Sequence, residues 1–178
     1  MHLRNWQKKI IDNFPSIINE HRRFILKAPT GAGKTVLASE IVERFYKGKK
    51  IIVLCHRLVL LEQLEKALGE KHAVRKLAVS DTGPAFEDYD ILLSTSMRAK
   101  QVLKDAVAKA DLIIVDEAHR VSPNGRGYKR ILDDFVEHGK AEAQFIGLTA
   151  SPERRTGDQR DQLNLAFDAI IDCANIED

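Results

Sequence analysis

Apolar residues fall at helical spacing from the start of the chain. Leu3, Trp6, Ile10 and Phe14 recur every three or four positions, and Pro15 is expected to stop that helix. Phe24 to Ala28 reads as a short strand. Leu37, Ile41 and Phe45 then mark one face of a helix from Lys34 to Tyr46, ended by Gly48. Within Lys50 to Cys55 the run Ile51-Ile52-Val53-Leu54 does not alternate, as expected of a strand buried on both faces. Leu60, Leu61, Leu64 and Leu68 line the inner side of a helix from Arg57 to Leu68, with Gly69 as its C-cap.

The same reading continues through the second half. Val74 to Val79 is a weaker strand, Ser80 to Pro84 is turn chemistry, and Ile91 to Ser94 is a short buried strand. A helix bearing Ala99, Val102, Leu103, Ala106 and Val107 leads into a strand at Leu112 to Val115. Tyr128, Ile131, Leu132, Phe135 and Val136 mark a helix facing a core, and Gln144 to Thr149 is a further strand. Pro152 to Asp161 is a charged loop, and Leu163 to Cys173 adds a short helix and an edge strand. Strands and helices therefore alternate, with connections too long for hairpins. That pattern predicts an α/β domain: a mostly parallel sheet, right-handed crossovers and helices on both faces. Ligands in such sheets sit beyond the carboxyl ends of the strands, so the residues just after each strand are the ones to examine for chemistry.

Composition narrows the class. Of 178 residues, 44% are hydrophobic and 30% charged, an ordinary globular mix for one domain with an arm. Apolar runs such as Ile51 to Cys55 are far short of the ~20 residues of a membrane span, and the first residues carry no secretory core. Two cysteines, Cys55 and Cys173, make neither a disulfide framework nor a structural zinc cluster. A cytoplasmic protein with no membrane partner is expected. The net charge of +2 neither demands nor excludes nucleic acid.

Two segments carry chemistry. After the first strand stands Ala28-Pro29-Thr30-Gly31-Ala32-Gly33-Lys34-Thr35. A phosphate chain needs inward-pointing N–H groups on a tight glycine turn that opens a helix, and Gly31 and Gly33 supply it. Lys34 can reach the β- and γ-phosphates of a bound triphosphate, and the Thr35 hydroxyl can ligate Mg²⁺. Ala28 stands where the first glycine of this pattern is usual. After the Leu112 to Val115 strand stand Asp116-Glu117-Ala118-His119. Asp116 is placed to hold Mg²⁺ through water, and Glu117 to take a proton from a water attacking the γ-phosphate.

These two segments, followed by Leu148-Thr149-Ala150-Ser151-Pro152, resemble the ordered motifs of the superfamily-two helicases and translocases. The chain is similar to their first RecA-like domain, a P-loop NTPase fold, over nearly its whole length. It looks most like the group of restriction-subunit and phage DNA helicases, with Leu3-Arg4-Asn5-Trp6-Gln7 at the start and Arg154, Arg155 and Arg160 in the charged loop. The resemblance implies an arm helix at 1–22 carrying the adenine motif and a first RecA-like domain at 23–178. Gln7, helped by Arg4, would read the adenine edge, the alternative being an exposed helix residue. Thr30, Gly31, Ala32, Gly33, Lys34 and Thr35 would cradle the phosphates of ATP with Mg²⁺. His119 would link the nucleotide to the Thr149 and Ser151 hydroxyls, or else cap its own loop.

Arg57 would contact a backbone phosphate of nucleic acid, DNA being favoured over RNA. Thr95 would do the same or cap the helix that follows. In the family an arginine finger on a second RecA-like domain completes hydrolysis. This sequence carries no later motif, so the chain alone is expected to be a weak ATPase and no helicase.

Overall fold

The computed structural model describes residues 3–29, 31, 33–76, 89–95, 104–118, 128–150 and 166–173. Five helices, α1 (Asn5–Glu20), α2 (Lys34–Phe45), α3 (Leu58–Gly69), α4 (Lys104–Lys109) and α5 (Tyr128–His138), alternate with seven strands among the described residues. The strands are β1 (Arg23–Lys27), β2 (Ile51–Cys55), β3 (Val74–Lys76), β4 (Ile91–Thr95), β5 (Leu112–Asp116), β6 (Gln144–Thr149) and β7 (Ala169–Asp172). They form one sheet in the order β3-β4-β2-β5-β6-β1-β7, and every pairing is parallel.

The unalternated strands are explained by two cores, one on each face. Within β2, Ile51, Val53 and Cys55 join α1, α2 and α3 on one side, while Ile52 and Leu54 join α4 and α5 on the other. Strands β1, β5 and β6 divide their residues the same way. The central strands thus carry apolar residues on both faces because both faces are covered. The strand order places β1, which carries the glycine-rich loop, between β6 and β7, with β5 one strand further on.

Three expectations change. Helix α1 runs through Pro15 to Glu20 instead of stopping. A proline inside a helix costs about 3 kcal/mol, but Pro15 lies on the exposed side, and Ile17 and Ile18 beyond it still pack on the core begun by Ile10, Ile11 and Phe14. Gly69 is the last residue of α3, and Glu70 takes the cap position. Val136 is half exposed, because α5 is buried through Tyr128, Ile131, Leu132 and Phe135 alone. The expected parallel sheet is present with every pairing parallel, and its predicted edge strand is β7, paired with β1. The Ser80 to Pro84 turn, the Ala99, Val102 and Leu103 segment and the Pro152 to Asp161 loop lie outside the described residues.

Candidate functional site

The carboxyl ends of β1, β5 and β6 meet on one side of the sheet. The glycine-rich loop leaves β1 at Ala28, whose N–H donates to the Thr149 carbonyl at the end of β6 (2.9 Å). Gly31 (φ +70°) and Gly33 (φ +92°) are both left-handed, a conformation open to glycine and strained for other residues. Gly33 is the N-cap of α2, so Lys34 and Thr35 open that helix. Neither a side-chain cap nor an acidic residue occupies its first turn among the described residues, which leaves the N–H groups and the positive dipole end for an anion.

Asp116 ends β5 opposite this turn. It is 8% exposed, and its Oδ2 is buried with no hydrogen-bond partner among the described residues. Burial pushes its carboxyl above the usual aspartate range and the neighbouring Glu117 charge adds to the shift, while Lys34, the Glu117 backbone and His56 oppose it. Lys34, Thr35 and Asp116 line one small cleft, floored by Cys55, Ile114 and Leu148. Glu117 is left-handed (φ +56°), strain of the kind that collects at functional positions. These groups suit a hard divalent cation by donor chemistry, oxygen atoms with one carboxylate lacking a partner. No group of three or more His, Cys, Asp or Glu among the described residues could hold a metal unaided. Phosphate oxygens are what such a donor set needs to complete coordination.

Gln7 reaches the same loop from α1. Its Nε2 donates to the Gly33 carbonyl (2.9 Å), and its Oε1 accepts the Arg4 N–H (2.8 Å). It is 2% exposed, which overturns the alternative of an exposed helix residue. Arg4 is exposed at the N-cap of α1. Thr149 is fully buried. Arg57 is exposed as the N-cap of α3, while Thr95, ending the adjacent strand β4, is buried. Thr30, Ala32, His119 and Ser151 lie outside the described residues.

Sequence reasoning missed Gly147 in β6. A Cβ there would stand 2.5 Å from the Ala118 Cβ, so the absent side chain lets the turn after Asp116 lie against the sheet. A lone glycine inside a strand pattern is itself a signal of close approach.

Comparison with known proteins shows the family and the fold. The family described as "Type III restriction enzyme, res subunit" matches residues 1–154. A putative helicase of Sulfolobus islandicus filamentous virus is 29% identical over 180 residues, covering 92% of this chain and 30% of its own length. The mouse ATP-dependent RNA helicase DHX58 is 30% identical over 201 residues, covering 99% of this chain and 28% of its own. The Pyrococcus furiosus Hef helicase domain superposes with a TM-score of 0.74 at 25% identity, over 95% of this chain and 37% of that one. The chain thus spans less than two fifths of the length of each of these helicases. No helix among the described residues is long and apolar enough to cross a membrane. The family match covers most of the chain and the fold is that of the helicase neighbours: the chain belongs to the type III restriction enzyme res-subunit family, with the RecA-like N-terminal domain of the superfamily-two helicases.

Proposed function

We propose that this chain is the ATP-binding motor domain of an ATP-dependent helicase or translocase, hydrolysing ATP to ADP and phosphate when a second RecA-like domain closes over the nucleotide. The observation that carries this reading is the partnerless buried oxygen of Asp116, which shares a cleft with Lys34 and Thr35 at the start of α2. Backbone N–H groups of residues 30–34 hold the phosphate chain, and the Lys34 ammonium pairs with its β- and γ-oxygens. Thr35 and Asp116 would hold Mg²⁺, which would supply positive charge to offset that of the phosphates. Glu117 accepts the proton of the attacking water at its carboxylate. Gln7 keeps one amide hydrogen and one lone pair for the adenine edge, with Arg4 beside it.

Arg57 and Thr95 grip the sugar–phosphate backbone without reading sequence. His119, Thr149 and Ser151 pass the state of the γ-phosphate to that surface. DNA is favoured over RNA by the likeness to restriction-enzyme subunits. Calorimetric titration with Mg·ATP is the test. The unmodified chain is expected to bind, and Lys34→Ala to lose at least tenfold in affinity with its circular dichroism unchanged. Equal affinity in the two proteins would remove Lys34 from the site and overturn the reading.

A further inference from the structure

We infer that Lys27 and Asp172 are positioning residues for the phosphate loop, clamping its root to the edge strand β7. The inference rests on the reading that this loop binds a triphosphate. Lys27 is the last residue of β1, immediately before the loop begins at Ala28. It shares one rung of the sheet with Thr149 of β6 and Asp172 of β7. On the β6 side the root is tied by the Ala28 N–H to the Thr149 carbonyl. On the β7 side it is tied twice: the Cys173 N–H donates to the Lys27 carbonyl (2.9 Å), and the Lys27 ammonium meets the Asp172 carboxylate at 3.0 Å. At its far end the loop is held by Gln7 on the Gly33 carbonyl.

A loop with two left-handed glycines gains affinity from anything that orders it in advance, because glycine loses the most backbone freedom on becoming fixed. The Lys27–Asp172 pair acts at the point where the chain leaves the sheet. A small shift there displaces every N–H group that follows. Strand β7 lies beyond residue 154, where the family match ends.

The same strand pair contains its own control. At the opposite end of the β1–β7 ladder Arg23 meets Asp168 (2.8 Å), and the Arg23 N–H also donates to that carboxylate (3.0 Å). Both pairs fasten β7 to β1, but only one sits at the root of the loop. The experiment measures Mg·ATP affinity by calorimetry and Tm by circular dichroism in Asp172→Asn, Lys27→Met, their double variant, Asp172→Glu and Asp168→Asn. Asp172→Asn and Lys27→Met are each expected to weaken binding about fivefold, a scale set by a half-exposed pair. The double variant is expected to be no worse than either alone, since the two groups act as one unit. Asp172→Glu restores affinity, and Asp168→Asn lowers Tm as far as Asp172→Asn does while leaving affinity unchanged. Unaltered affinity in Asp172→Asn, or an equal loss in Asp168→Asn, overturns the clamp while the nucleotide reading stands. No binding by the unmodified chain overturns both.

Discussion

At position 116 a buried carboxylate keeps one oxygen, Oδ2, without a hydrogen-bond partner among the described residues, and that is a cost the fold carries. Burial and the Glu117 charge hold its acid form above the ordinary range. A carboxyl raised on folding stabilises the native state below its unfolded pKa, and that stability is lost as pH rises through the folded value. The raised carboxyl of Asp116 therefore weakens the nucleotide-free protein at neutral pH relative to acid. Asp116→Asn is expected to raise Tm by about 3 °C at pH 7, with the gain vanishing below about pH 4. Its affinity for Mg·ATP should fall. Thermal melts from pH 3 to 8 alongside calorimetry check both halves, and a lower Tm at pH 7 would show Asp116 to be a structural carboxylate. Residue types and their order after the strands made Lys34, Thr35, Asp116 and Glu117 legible in the chain itself. The left-handed backbone of Glu117 was not legible, because nothing in its residue type asks for it.

At the level of elements, the spacing of apolar positions located the described helices by their repeat and the central strands by short unbroken apolar runs, since each element buries one or both of its faces. It failed where a local rule met a tertiary one. Pro15 lost to the packing of Ile17 and Ile18, and Val136 kept its spacing but found no neighbour to cover it. Partnerships across the sheet were invisible for a different reason. They depend on β1 lying between β6 and β7, an order that hydrophobic spacing does not encode. Arg22 illustrates this. Its guanidinium donates to the carbonyls of Gly139 (3.2 Å) and Lys140 (2.8 Å) at the end of α5, and lies 4.5 Å from the centre of the Phe135 ring. A cation at a helix C-terminus, bonded to its last carbonyls and stacked on an aromatic ring, holds α5 against the start of β1. Arg22→Ala is expected to cost about 2 kcal/mol, read as a lower urea midpoint. Arg22→Lys should recover only part of it, because a single ammonium cannot reproduce the fork.

Across the whole molecule the aspartates at the two ends of β5, Asp111 and Asp116, carry their charge in opposite ways. At the amino end Asp111 stitches three strands together. Its carboxylate accepts the Lys50 N–H (2.9 Å) and the Lys140 ammonium (2.7 Å), while its own carbonyl accepts the Gln144 N–H that starts β6. Burial pushes its carboxyl upward, but Lys140 and the Lys50 backbone outweigh that and hold it below the usual range. Glu43, bonded to His72 and Lys71, is lowered against its own burial in the same way. A carboxyl lowered on folding contributes stability that is present above its unfolded pKa and lost as pH falls through the folded value. The amino end thus supplies acid-sensitive stability, and the carboxyl end, through Asp116, removes stability at neutral pH. Asp111→Asn should lower Tm at pH 7 and flatten the acid limb of the stability curve below about pH 4, the reverse of Asp116→Asn. Tm profiles of the two variants displaced in the same direction at pH 7 would overturn this division. Displacement in opposite directions would mean that well-paired carboxylates at one end of the sheet hold the fold, so that the other end can keep a carboxylate oxygen for a ligand.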